Sequence, residues 1–182
     1  MALLFSLSAE FGSSGEAAKV FANHFDNVSW VLSDGLQSRC STRVFQDVED
    51  NWWCMICPRG VSESGVGSPE DAHQMTELGL LLYQRLQSAP PFRYALVGIE
   101  VDEVRTYSEL MTPEGQPDVP FDGLVLAEEI WNHIGRPVDF NYFKEGYLWK
   151  PYQGEVYSPL EVSTQLRQQL HNLLATSPSV ER

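Results

Sequence analysis

The segment 68–91 places the strongest constraint on the fold. It begins with Ser68-Pro69-Glu70-Asp71: a serine that can cap a helix, proline at the first helical position, and acidic residues in the first turn. Apolar residues then recur at helical spacing as far as the paired prolines at 90–91. The members of this stripe are Ala72, Met75, Leu78, Leu82 and Leu86. The pattern predicts an amphipathic helix whose apolar face has to be buried against other elements.

Three further helices are predicted from similar start signals. Residues 13–16, Ser-Ser-Gly-Glu, have capping-box spacing, and an apolar stripe follows them to Phe25. Asp122 caps a predicted helix that runs through Ile134 and is closed by Gly135. Ser158 and Pro159 begin the last predicted helix, which again carries an apolar stripe.

Strand-like runs separate these helices. They are Leu3–Ser8, Ser29–Leu32, Thr42–Val48, Trp52–Cys57, Tyr94–Val104, Val138–Phe143 and Tyr147–Tyr152. Because several strands follow one another without a helix between them, the order favours an antiparallel or mixed sheet packed by about four helices on one face. We therefore predict a single α+β domain over residues 1–176, followed by a flexible C-terminal tail at 177–182.

The overall composition excludes several classes of protein. The 182 residues suit one domain, and 25 acidic against 12 basic residues give a net charge of −13. That charge argues against binding to the phosphate backbone of nucleic acids. No stretch reaches the roughly 18 apolar residues that cross a bilayer, and three cysteines are too few for a disulfide scaffold. We expect a cytoplasmic protein with no membrane partner.

The closest approach to a catalytic motif is the segment 51–60, in which Cys54 and Cys57 lie three residues apart. A redox pair needs its first cysteine at a helix N-terminus, but proline, arginine and glycine follow at 58–60. In a strand, residues three apart point to opposite faces, so buried structural thiols are the favoured interpretation. The alternative is a thiol-redox or zinc-binding protein centred on Cys54 and Cys57. The candidate zinc ligands are Cys40, Cys54, Cys57 and His73.

Glu100 and Asp102 alternate with apolar residues, which places both carboxylates on one face of the predicted strand Tyr94–Val104. Such a pair could bind a divalent cation or act as acid and base, or it could be the solvated face of a half-buried strand. We favour the solvated face, because no third ligand or lysine has a matching position. The sequence therefore predicts no cofactor and no enzyme activity.

Aromatic residues are concentrated in 140–157, where Glu145-Gly146 predicts a two-residue hairpin turn. With this turn Tyr142 is expected opposite Trp149 and on the same face as Phe140. Phe143 and Leu148 are then expected on the other face. These aromatic side chains either fill a two-sided core or provide a contact surface, since tyrosine and tryptophan anchor protein interfaces. The candidate contact residues are Phe140, Tyr142, Tyr147 and Trp149, with Glu100 and Asp102 from the acidic region.

Acidic residues are concentrated in 97–130, so the charge of the chain is uneven. The favoured hypothesis is a small non-enzymatic binding or regulatory protein, such as an inhibitor, an immunity-type protein or an assembly factor. It would recognise a protein partner through the acidic region 97–130 and the aromatic hairpin 140–157, and the acidic region would steer a basic partner. The oligomeric state is left open.

Overall fold

A computed structural model describes residues 4–61, 64–101, 106–112, 121–157, 168 and 172. Its elements, in chain order, are β1 (Phe5–Glu10), α1 (Gly15–Phe25), β2 (Ser29–Val31), β3 (Gln37–Gln46), β4 (Trp52–Pro58), α2 (Pro69–Gln87), β5 (Tyr94–Ile99), α3 (Tyr107–Met111), β6 (Val125–Ala127), α4 (Glu128–His133), β7 (Asn141–Lys144) and β8 (Tyr147–Trp149). The strands form one eight-stranded open sheet in the order β2-β3-β4-β1-β5-β6-β8-β7. All its pairings are antiparallel. The predicted α+β class is confirmed.

Strand β1 lies inside the sheet, and its two faces differ in polarity. The odd-numbered residues from Phe5 to Ala9 belong to the main hydrophobic cluster, which α1 and α2 cover. The even-numbered residues from Ser6 to Glu10 face the other side of the sheet. All six side chains are buried, so both faces of the sheet are covered at this strand.

The two long helices begin close to the positions that the sequence predicts. Ser14 Oγ accepts a hydrogen bond from Ala17 N–H at 3.2 Å, so α1 begins one residue later than a cap at Ser13 implies. Ser68 Oγ accepts from Asp71 N–H at 3.1 Å at the start of α2. Both helices bury their apolar stripes in the main cluster, which fixes them on one face of the sheet.

A second hydrophobic cluster covers the opposite face. Leu110 of α3 and Ile130 of α4 pack there with Trp53, Tyr94 and Leu126 from the sheet. The expectation that all helices lie on one face is therefore wrong, since α1 and α2 lie on one face and α3 and α4 on the other. The physical reason is that β4, β5 and β6 carry apolar side chains on both faces, and each face needs cover.

The predicted helix 122–134 is wrong in its first half. Residues Val125–Ala127 form β6, and α4 begins only at Glu128. Val125 faces the main cluster and Leu126 the second cluster, so a continuous apolar run here belongs to a strand buried on both sides. The helix predicted from Ser158 lies outside the described residues except for residues 168 and 172, which are helical, and the tail 177–182 lies outside them entirely. None of the described helices is long and apolar enough to span a membrane.

Candidate functional site

Strand β4 turns its two cysteines to opposite faces of the sheet. Cys54 is fully buried in the main cluster, whereas Cys57 lies opposite Ser41 of β3 on the other face. Cys40 belongs to the main cluster as well, but it pairs with Pro58 at the far end of the β3–β4 ladder from Cys54. The sheet therefore does not bring Cys54 and Cys57 face to face.

The environment of the candidate zinc ligands is that of structural side chains. Burial raises the pKa of the Cys40 and Cys54 thiols to about 12, so both stay protonated near neutral pH. His73 lies on α2, where its Nε2 is 3.5 Å from Ser33 Oγ, and that hydroxyl donates to Glu77 at 2.8 Å. Within the part of the chain that the structure describes, no three His, Cys, Asp or Glu side chains converge in a way that could hold a metal ion.

The predicted pair of carboxylates on one strand face is not formed at Glu100. Strand β5 ends at Ile99, and Glu100 adopts a left-handed conformation with φ of 55° in the turn that follows. The side chain of Glu100 is exposed, and Asp102 lies outside the described residues. The alternation of acidic and apolar residues that begins at Ile99 therefore does not continue the strand at Glu100.

The β7–β8 hairpin has the predicted turn but not the predicted register. Tyr142 pairs with Leu148 and Asn141 with Trp149, because a bulge between Tyr142 and Lys144 shifts the ladder by one residue. The bulge places Phe143 on the same face as Trp149, with their ring centroids 5.3 Å apart. The expected pairing of Tyr142 with Trp149 is therefore wrong.

Three of the four predicted aromatic contact residues belong to the hydrophobic core. Phe140 is buried in the second cluster, while Tyr147 and Trp149 are partly buried against the main cluster. The Tyr147 hydroxyl donates to the Phe92 carbonyl at 2.8 Å and accepts from Phe92 N–H at 3.0 Å. The Trp149 ring lies 5.2 Å from the ring of Tyr83 on α2. These contacts anchor the hairpin to α2 and to the chain just before β5.

Lys144 of β7 adds a further anchor. Its ammonium group donates to the carbonyls of Leu86 at 3.2 Å and Ala89 at 2.9 Å, at the C-terminal end of α2. The same group lies 4.6 Å from the centroid of the Tyr147 ring and 5.0 Å from that of Phe92. Burial lowers the pKa of Lys144. The charge of this lysine is directed at the helix end and not at the outer edge of the sheet.

Tyr142 differs from the other hairpin aromatics because it is 53% exposed. It lies on β7, the terminal strand of the sheet, on the face opposite to the α2 anchors. Val138, just before β7, has a fully exposed side chain. The outer end of the sheet therefore presents a tyrosine and a valine to solvent on a hairpin whose inner side is fixed.

Exposed carboxylates surround this end of the sheet, and we call them the acidic rim. Its members are Asp122, Glu128, Glu129, Asp139 and Glu145. Lys150 connects two of them, with its Nζ 3.5 Å from Asp122 and 3.2 Å from Asp139. At the turn of the hairpin, the N–H of Glu128 donates to the Gly146 carbonyl at 2.9 Å, which brings Glu128 next to Glu145. The rim thus extends along both ends of the hairpin and stays net acidic.

A buried ion pair on the second face is absent from the sequence-based predictions. Glu10 is 0% exposed, and its carboxylate accepts from Arg93 Nε at 2.6 Å, from Arg93 Nη2, and from Gly12 N–H at 2.8 Å. The Arg93 guanidinium lies 3.9 Å from the centroid of the Tyr107 ring on α3 and donates to Asn51 at 3.3 Å. The cluster therefore joins β1, the residue directly before β5, and α3.

The segment 150–157, which follows β8, packs against α2. Tyr152 is buried in the main cluster and donates a hydrogen bond to Glu155 at 3.0 Å. The N–H of Glu155 donates to Thr76 Oγ1 on α2 at 2.9 Å. Burial raises the pKa of Glu155 above the usual value of 4.5, and the hydrogen bond from Tyr152 opposes that shift in part.

The buried clusters are thus structural, whereas the β7 end of the sheet presents an outward-facing surface. Comparisons with protein-family models, with curated proteins and with solved structures find no match for this chain. The outward surface is therefore interpreted from its own chemistry: an exposed Tyr142, a terminal strand, and the acidic rim.

Proposed function

We propose that this protein is a non-enzymatic binding or regulatory protein that recognises a basic protein partner through the β7–β8 hairpin and the acidic rim. The observation that carries the proposal is the position of Tyr142, which is 53% exposed on a hairpin fixed by buried neighbours. An ordered aromatic side chain loses little conformational freedom when a partner covers it. Tyrosine also combines a large apolar area with a hydroxyl, a combination enriched at interface centres.

The acidic rim supports a partner of positive charge. The chain has a net charge of −13, and five carboxylates of the rim are exposed around the hairpin. Of the lysines nearby, Lys150 is paired with Asp122 and Asp139, and Lys144 donates to helix carbonyls. Exposed charges of one sign raise the association rate of an oppositely charged partner and suppress binding of nucleic acid.

The placement of the ionisable side chains supports a role without catalysis or a cofactor. Glu10 and Arg93 hold each other in the sheet, and Asp47 accepts hydrogen bonds from Glu49 N–H and from the indole of Trp53. The high pKa of the Cys40 and Cys54 thiols works against a thiol-redox role. Buried thiols of this kind suit a reducing compartment, so we place the protein in the cytoplasm.

Affinity capture with matched variants tests the proposal. One bait carries Tyr142→Ala, and a second carries Glu128→Gln, Asp139→Asn and Glu145→Gln. The control bait carries Glu16→Gln, Asp26→Asn and Glu70→Gln, which remove the same charge from exposed positions on α1, directly after α1 and on α2. We expect a basic protein that the wild type and the control retain and that both hairpin baits lose.

The captured partner is then purified and its association rate is measured as a function of salt. We expect the rate constant to fall at least about tenfold between roughly 0.02 and 0.5 M salt, because added ions screen exposed charges. The proposed surface is contradicted if all baits retain the partner equally. It is also contradicted if the association rate constant does not change with salt concentration.

A further inference from the structure

Strand β7 ends the sheet, so one of its edges has no neighbouring strand among the described residues, where it pairs with β8 alone. A strand at a sheet edge presents unpaired backbone N–H and C=O groups, which can pair with another extended chain. Natural proteins often block such an edge with an outward lysine. In β7 the only lysine is Lys144, and its ammonium group is bound to the carbonyls of Leu86 and Ala89.

The bulge next to Phe143 shortens the regular part of β7, but it does not hide the edge. Asn141 and Tyr142 are exposed, and so are Val138 and Asp139 just before them. An added strand would therefore meet apolar contact area at Tyr142 and Val138, and carboxylates at both ends of the edge. Backbone pairing would supply affinity, and the alternating side chains would supply selectivity.

Charge decides between a second copy of this chain and a different partner. If two β7 strands paired antiparallel, Asp139 of one copy would approach Glu145 of the other, and like charges at paired positions are unfavourable. A segment with lysine or arginine at alternate positions meets the same carboxylates with opposite charge. Its intervening aliphatic side chains would lie on the face of Tyr142, because side chains alternate along a strand.

We propose that the β7 edge accepts an extended basic segment of the partner as a ninth strand of the sheet. This inference rests on the proposed function and specifies its mode of binding. The recognised segment alternates basic and aliphatic residues, and main-chain hydrogen bonds from residues Asn141–Lys144 hold it. Tyr142 contacts its aliphatic side chains and the acidic rim contacts its basic ones.

Two synthetic peptides test the mode of binding with the full chain. The first alternates lysine and valine over about eight residues, enough for a strand of ordinary length. The second has the same sequence with every backbone nitrogen methylated, which keeps the charge and the side chains but removes the backbone N–H donors. Calorimetry measures both affinities, and amide hydrogen exchange measures protection in β7 and, as a control edge, in β2.

We expect the methylated peptide to bind at least about tenfold more weakly, since it lacks the donors of a β ladder. We also expect slower exchange in β7 with the first peptide only, and no change in β2. Equal binding by both peptides, or protection in β2 instead of β7, overturns strand addition while leaving an electrostatic binding surface in place. If neither peptide binds, both strand addition and the proposed basic partner are overturned.

Discussion

Replacing Arg93 by methionine removes the cation that accompanies Glu10 in the sheet. Glu10 is 0% exposed, and Arg93 provides two of the hydrogen bonds that its carboxylate accepts. Among the described residues, the remaining donor is the N–H of Gly12 at 2.8 Å. In the variant, folding therefore has to bury a carboxylate with one hydrogen bond and without an adjacent positive charge.

The expected loss of unfolding free energy is about 3 kcal/mol. Removing one partner of a buried ion pair typically costs about 3 to 5 kcal/mol, because the other charge is left uncompensated. The lower end applies because the Arg93 side chain is 32% exposed, so water can enter where the guanidinium was. Loss of the contact with the Tyr107 ring, 3.9 Å from the guanidinium, acts in the same direction.

Urea unfolding at pH 7, followed by the fluorescence of the five tryptophans, measures this loss. Arg43→Met is the matched control, since Arg43 is exposed and its guanidinium lies 5.5 Å from the Phe45 ring centroid. We expect the control to change stability by less than about 1 kcal/mol. The double variant Glu10→Gln, Arg93→Met should recover at least about 1 kcal/mol of the loss, because a neutral amide is cheaper to bury than a carboxylate.

A loss below about 1 kcal/mol in Arg93→Met would refute this reasoning, because it would mean that Glu10 is not an isolated buried charge in the variant. A double variant that is less stable than the single one would refute it independently. In that case lost packing of the arginine stem, and not the lost charge, would account for most of the destabilisation in Arg93→Met.

Three further predictions concern buried groups of the core. The raised pKa of Glu155 means that the folded state favours its protonated form, so the contribution of this group to the free energy of unfolding falls as pH rises above 4.5. The free energy of unfolding of Glu155→Gln should therefore increase relative to that of the wild type between about pH 4 and 7. A difference in urea unfolding that does not change with pH would contradict this. Gly79→Ala should destabilise by about 1 to 3 kcal/mol despite its better helix propensity, because the new methyl lies 2.7 Å from Tyr152; a higher melting temperature would contradict the packing. Ser8→Ala should stabilise by about 1 kcal/mol, since Ser8 Oγ is buried without a hydrogen-bond partner among the described residues. Destabilisation would contradict this expectation.

The parts of the fold that the sequence predicts well are those whose signal is local. The start of α2 at Ser68 and the turn at Glu145-Gly146 depend on neighbouring residues, and both are present in the structure. Helix α3 has a similar signal, a capping box between Thr106 and Glu109, just after the predicted strand Tyr94–Val104. The helix is absent from the sequence-based predictions, although this local signal is sufficient to predict it.

The features that the sequence did not reveal depend on distant residues. The sequence of β6 resembles the start of a helix because Val125 and Leu126 are consecutive apolar residues. Only the structure shows that they face the two clusters on opposite sides of the sheet. Glu10 follows the alternation of β1, but its partner Arg93 is 83 residues away. The bulge that places Leu148, and not Trp149, opposite Tyr142 accompanies the packing of Phe143 against Tyr83 of α2, a contact that no spacing within the hairpin specifies.

The same bulge explains why binding and stability can be separated at the hairpin. It turns Phe143 and Lys144 together towards α2, and with Tyr147 and Trp149 they hold the inner face. Tyr142, which is 53% exposed, is left on the outer face, so its removal takes little buried area from the core. A surface residue that contributes little to folding and lies on a strand fixed by buried neighbours is well suited to contact a partner. A loss of binding in Tyr142→Ala, with unchanged unfolding free energy, can therefore be assigned to the contact itself.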